Sequence, residues 1–68
     1  MSKTKFFFVG IYQRDEVPYI EYYKKVILAT DAILADLEGI CQMDADMPEA
    51  DYVILGSFVV SQKDFEDA

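Results

Sequence analysis

Tyr19-Ile20-Glu21-Tyr22-Tyr23-Lys24-Lys25-Val26-Ile27-Leu28-Ala29-Thr30-Asp31-Ala32-Ile33-Leu34-Ala35-Asp36-Leu37 carries the reading of the fold. At about 100° per residue, Tyr19, Tyr22, Tyr23, Val26, Ile27, Thr30, Ile33, Leu34 and Leu37 share one broad face, with Ile20 at its edge. Glu21, Lys24, Lys25, Asp31 and Asp36 fall opposite, with Leu28 among them. The pattern predicts a long amphipathic helix with a wide apolar face. Asp15 suits its N-cap, and Pro18 its first turn, where a missing N–H is harmless. Gly39 is its expected C′ residue, so the helix ends near Leu37.

On the N-terminal side, Phe6 to Tyr12 reads as a strand. Phe6, Phe8 and Tyr12 point one way and Phe7, Val9 and Ile11 the other, so both faces are expected to be covered. On the C-terminal side, Ile40 to Met43 reads as a short second strand. An acidic loop, Asp44 to Asp51, follows. Tyr52 to Val60 is the third strand, with Tyr52, Ile54, Phe58 and Val60 opposing Val53, Leu55 and Val59. Ser61-Gln62-Lys63-Asp64 resembles a capping box opening a short second helix. The expectation is a single α+β domain over residues 1–68: a small antiparallel three-stranded sheet, one long helix and a short C-terminal helix. The order β-α-β-β-α matches an incomplete ferredoxin-like fold. One helix can cover one sheet face, so the other is expected to need a second subunit or another protein.

The chain has 68 residues, a single cysteine and no histidine. Domains this small often need a disulfide, a metal or a partner. Cys41 alone makes no internal disulfide, and the missing histidines disfavour zinc, which leaves oligomerisation. No apolar run approaches a membrane span, and no cleavage site follows the apolar N-terminal segment. A cytoplasmic setting is expected.

Catalytic signals are weak. Histidine, the commonest general base, is missing. Cys41 has no activating partner and reads as a buried, inert thiol. Gly10, Gly39 and Gly56 are isolated and form no phosphate loop. Asp44, Asp46, Glu49 and Asp51 miss the EF-hand pattern, because Pro48 and Glu49 fall where a ligand and the turn glycine belong. No catalytic, cofactor or metal site is expected. The five tyrosines fit the core better than a ligand cavity.

Charge is the strongest pattern. The net charge is −7, and no basic residue stands between Lys25 and Lys63. That interval holds Asp31, Asp36, Glu38, Asp44, Asp46, Glu49 and Asp51, which are the candidate partner-binding residues. If extended, Asp44 and Asp46 project to one side about 6.6 Å apart, a spacing similar to that of phosphates along a strand. Such an array could occupy a lysine- and arginine-lined groove, and it disfavours direct contact with nucleic acid or anionic membranes. The plainer alternative is an ordinary soluble acidic surface.

Two resemblances extend this reading. The first strand, Asp15 and the Tyr19-Ile20-Glu21-Tyr22-Tyr23-Lys24-Lys25 segment resemble the opening of dimeric α+β barrel families, such as antibiotic-biosynthesis-monooxygenase-like and DUF1330-like proteins. Val53 to Val60, with Ser61 and Phe65, resembles their third strand and second helix. This resemblance implies sheets packed face to face in a dimer and a small apolar ligand between helix and sheet. The chain has neither their final strand nor an active-site histidine, so activity is not carried over. In overall character the chain is also similar to phage-encoded inhibitors of host defence, including anti-CRISPR proteins, some of which imitate nucleic acid with carboxylates. Three functions are therefore open: an acidic inhibitor or nucleic-acid mimic of a basic nucleic-acid-binding protein, a dimeric ligand-binding barrel domain, and a small subunit of a larger assembly.

Overall fold

The structure is a computed structural model that describes residues 2–47 and 51–68. Its elements are β1 (Thr4–Arg14), β2 (Glu21–Ala29), α1 (Ala32–Asp46), β3 (Tyr52–Val60) and α2 (Gln62–Asp67). The three strands form one antiparallel sheet in the order β2-β1-β3, with β1 at its centre. A three-stranded antiparallel sheet with one main helix and a short C-terminal helix is the architecture expected, although the second strand and the main helix fall on other residues. The order of elements along the chain is β-β-α-β-α, not β-α-β-β-α.

The difference lies in the stretch from Tyr19 to Leu37. Its first half is β2, joined to β1 by a hairpin loop over residues 15–20 that contains Pro18. Asp15 is no helix cap; its backbone N–H donates to the Asp51 carbonyl at 3.1 Å. Apolar residues at 22, 23, 26 and 27 satisfy a helical stripe, but they equally suit a strand apolar on both faces. Tyr23 and Ile27 face α1, whereas Tyr22 and Val26 face away. Aromatic and β-branched side chains favour the strand. The helix begins one segment later. Asp31 is extended and its carboxylate accepts from the Leu34 N–H at 2.9 Å, so it is the N-cap. Residues 40–43, expected as a strand, are helical.

Gly39 does not end this helix. It lies in the middle and is buried. A Cβ placed there would fall 2.2 Å from Cδ1 of Phe8, a ring with no exposed surface. Gly39 therefore lets α1 lie directly on Phe8, together with the buried Ala35 and Met43. Met43 Sδ in turn sits where a Cβ on Gly10 would be, at 2.7 Å. Tyr12, Ile27 and Ala29 complete the buried core, with Tyr23, Ile40, Tyr52 and Val59 packed around it.

β3 carries one irregularity. Ile11 pairs with Gly56 and Tyr12 with Ile54, which leaves Leu55 unpaired as a bulge. The bulge resets the alternation. Tyr52 and Ile54 face α1 with Ser57 and Val59, while Val53 points back with Phe58 and Val60. A single unbroken alternation, as expected from the sequence, would have set Tyr52 on the same side as Phe58. Instead Tyr52 meets Tyr12 edge-on, with ring centroids 5.7 Å apart. α2 follows expectation: Ser61 caps it, accepting from the Asp64 N–H at 3.2 Å.

The Gly39–Phe8 contact gives a direct test. Alanine in a helix is intrinsically better than glycine by about 1 kcal/mol. Against the unyielding Phe8 ring, Gly39→Ala is expected to lower stability by roughly 1–3 kcal/mol despite that gain. Adding Phe8→Leu should recover part of the loss, so that the double variant costs less than the sum of the two. Urea unfolding of the four proteins measures this, and an additive or stabilising Gly39→Ala would refute the close contact.

Candidate interaction surfaces

The inward row of α1 consists of Ala35, Gly39 and Met43, spaced four apart. The row two residues away, about 200° around the helix, is Ile33, Leu37 and Cys41. These point outward with Leu34 beside them. Ile33 is 76 % exposed, Leu37 55 % and Leu34 49 %. The helix is inverted relative to an ordinary surface helix, with small residues against the sheet and large apolar ones in solvent. Cys41, expected to be a buried thiol in a strand, is exposed on this outer row. Leu34, Leu37 and Cys41 join Leu28, Ala29, Thr30, Lys3 and Glu38 around an open groove of about 490 Å³. None of the five tyrosines lines it.

The acidic residues are distributed around α1, and most have an intramolecular role. Asp31 is the N-cap. Asp36 is half-buried and accepts from the Ser57 hydroxyl at 3.2 Å, which ties α1 to β3. Glu38 accepts from Gln42 at 3.0 Å along the helix surface. Asp44 accepts from the Tyr52 hydroxyl at 3.3 Å. Asp46 accepts from the Tyr23 hydroxyl and lies 3.5 Å from Lys25 Nζ. Asp51 is exposed just before β3. Glu49 lies outside the described residues. Asp44 and Asp46 do not project side by side from an extended segment, because both sit in the last turn of α1 and reach toward opposite edges of the sheet. Glu38 and Asp44 flank the outer apolar row. Asp36 and Asp46 face toward the sheet.

These contacts also answer an electrostatic problem. Carboxylates near a helix C-terminus oppose the macrodipole, and the last turn of α1 has no basic residue. Tyr23 and Lys25 from β2 supply the missing donors. The Tyr23 hydroxyl, helped by Lys25, holds the Asp46 carboxyl below its ordinary range. Burial and the neighbouring Asp46 carboxylate push the Tyr23 phenol up. Burial and Asp44 do the same to Tyr52. At the start of β2, two residues before Tyr23, Glu21 pairs with Arg14 at 3.0 Å.

The back of the sheet is the second surface. Lys5, Phe7, Val9, Ile11 and Gln13 of β1, Tyr22, Lys24, Val26 and Leu28 of β2, and Val53, Phe58 and Val60 of β3 share it. α2 covers one end through Phe65, whose ring centroid lies 5.2 Å from that of Phe7. Tyr22, Val26, Leu28, Val53 and Phe58 remain exposed. Among the described residues, no group of three or more His, Cys, Asp or Glu is arranged to hold a metal, and no helix is long and apolar enough to cross a membrane. Comparison with protein-family models, curated proteins and solved structures finds no significant match to this chain.

The Tyr23–Asp46 bond has a pH signature of definite sign. The lowered Asp46 pKa means that its contribution is present above the unfolded carboxylate value, about 4, and is lost as pH falls through the folded value. The raised Tyr23 pKa means that its contribution is full below the unfolded phenol value, about 10, and is lost as pH rises through the folded one. The stability difference between the natural chain and Tyr23→Phe should therefore be largest near neutrality and shrink at both extremes. Urea midpoints across pH measure it, and a constant difference would rule the linkage out.

Proposed function

We propose that this chain acts by binding rather than by catalysis, as a small acidic interaction protein that docks the outer side of α1 on a basic, nucleic-acid-binding protein and competes with nucleic acid there. The carrying observation is the inverted helix. Ile33, Leu34 and Leu37 stand in solvent between Glu38 and Asp44, in a stretch of chain with no lysine or arginine from Val26 to Gln62. An apolar stripe with acidic flanks suits a groove with an apolar floor and a basic rim. The flanking charges would speed encounter and fix orientation, while the leucines and isoleucine supply the desolvated contact. Cys41 sits on an open helix face, with no histidine in the chain to activate it, which favours binding over nucleophilic chemistry.

This reading differs from a phosphate-like row of carboxylates. Asp36 and Asp46 are turned toward the sheet and serve the fold, while Asp44 accepts from Tyr52 yet stays exposed, so the contact is expected to depend on Glu38, Asp44 and the apolar row together. The experiment is capture of a nucleic-acid-binding protein on the immobilised chain, followed by displacement of labelled nucleic acid from it. Affinity should fall with added salt. Glu38→Lys with Asp44→Lys should weaken binding about tenfold or more at low salt and flatten the salt dependence. Leu37→Ala should weaken it at every salt concentration. Binding indifferent to salt and to all three substitutions would end the proposal.

A further inference from the structure

We infer that the back of the sheet is closed by a second copy of this chain, in a two-fold dimer layered helix–sheet–sheet–helix. The Cα extents are 42 × 24 × 14 Å, a slab one sheet and one helix thick. Its radius of gyration is 12.3 Å, whereas a compact domain of this length has about 10.9 Å. Its surface is 4763 Å², against roughly 4,400 Å² expected for its mass. Among the exposed large apolar side chains, Tyr22, Val26, Leu28, Val53 and Phe58 lie on the back of the sheet. α2 spans only about 9 Å and is held at one end of that face. Phe65 rests on Phe7, Lys24 Nζ sits 4.9 Å from the Phe65 ring centre, and the same Nζ donates to the Ala68 carbonyl at 3.3 Å. Tyr22 stays 56 % exposed, Phe58 51 %, and Ile11 and Val53 lie near them.

Area and charge both select a second copy. Tyr22, Val26, Leu28, Val53 and Phe58, with the partly covered Ile11 and Val60 and the flank of α2, offer roughly 600 Å² per copy. A two-fold pair would bury about 1,200 Å², the lower bound of a specific interface, which suits a reversible dimer. Thirteen of the 68 residues are acidic, yet no strand position on this face carries a carboxylate; its strand charges are Lys5 and Lys24. Asp64, Glu66 and Asp67 sit on α2 at the same side. The face thus holds both signs, which lets it meet a second copy of itself without like-charge repulsion across the whole patch. A two-fold axis through the open part sets the two α2 helices at opposite ends and lets the bare strands meet about 10 Å apart. Both α1 helices then face outward, so this inference does not depend on the function proposed for α1.

Sedimentation velocity from low-micromolar to millimolar concentration tests it. The natural chain should pass from its 7.8 kDa monomer to twice that mass. Tyr22→Glu and Phe58→Glu should each raise the dissociation constant at least tenfold. Leu37→Glu, on the outer side of α1, should leave it unchanged. Because a glutamate could also disturb folding, amide chemical shifts of the natural chain are followed on dilution. Changes centred on Ile11, Tyr22, Val53 and Phe58 support the sheet interface. A chain that stays monomeric, or a dimer whose shifts and sensitivity map to Ile33 and Leu37, overturns it.

Discussion

The separation between α1 and the sheet depends on one contact, the Phe8 ring pressed against the backbone at Gly39. A mid-helix glycine costs about 1 kcal/mol relative to alanine. Burying a phenylalanine contributes about 2–3 kcal/mol. Trading the first for full burial of the second is favourable, provided the helix comes close enough to seal the ring. Only small residues allow that approach, hence Ala35 one turn before and the slender Met43 one turn after. The price of that closeness is paid on the other side of the helix: with the inward row small, the large apolar residues of α1 stand outside, at Ile33, Leu34 and Leu37. The exposed stripe and the buried phenylalanine are thus two sides of one packing solution.

The same closeness shapes the charge distribution. A helix lying low on the sheet brings its last turn within reach of tyrosines on both outer strands. Asp46 takes Tyr23 and Lys25 of β2, and Asp44 takes Tyr52 of β3. These pairs pin the C-terminal end of α1 against both edges and relieve an unfavourable encounter with the helix dipole. An acidic stretch that looks uniform along the chain is therefore divided in space. Some carboxylates hold the helix down, and others, Glu38 above all, are free to face outward.

Much of this was legible in the sequence. β3 was read with its observed bounds, and Ser61 marked the start of α2. The two-faced apolar pattern of β1 predicted a sheet in need of cover on both sides. What failed was the boundary between β2 and α1, for a specific reason. Tyr22, Tyr23, Val26 and Ile27 suit a helical period and a strand apolar on both faces equally well, so periodicity could not decide. The deciding signals were the aromatic and β-branched content of that segment and Asp31 as a cap three residues before Leu34. Gly39 misled because glycine ends helices more often than it sits under an aromatic ring. Once the helix was placed too early, residues 44–46 seemed extended, and the supposed phosphate-like spacing of Asp44 and Asp46 followed from that error. Gly56, an isolated glycine inside the third strand, marked a place for a bulge or close packing, and the bulge lies beside it at Leu55; only the register shows which residue is left unpaired.

Where the helix lies also decides how many surfaces the molecule has. Had the stretch from Tyr19 to Leu37 been one helix, its wide apolar face would have lain on the sheet and its polar face in water, leaving the back of the sheet as the main open surface. Splitting that stretch gives half of its apolar residues to β2, where they divide between core and back face. The other half goes to the first turns of a helix, where only Ala35 is buried and Ile33, Leu34 and Leu37 stay outside. Each element thereby becomes apolar on two sides, and a two-layer slab can cover only one side of each. A chain of 68 residues has no third layer to spend. The two remaining surfaces differ in charge: α1 itself carries carboxylates and no base, with Lys3 and Lys25 only at its margins, whereas the back of the sheet carries lysines on its strands beside the carboxylates of α2. Surfaces of unlike charge on opposite faces of one slab favour different occupants, and this is the physical basis for assigning the sheet to a second copy and the helix to a basic partner.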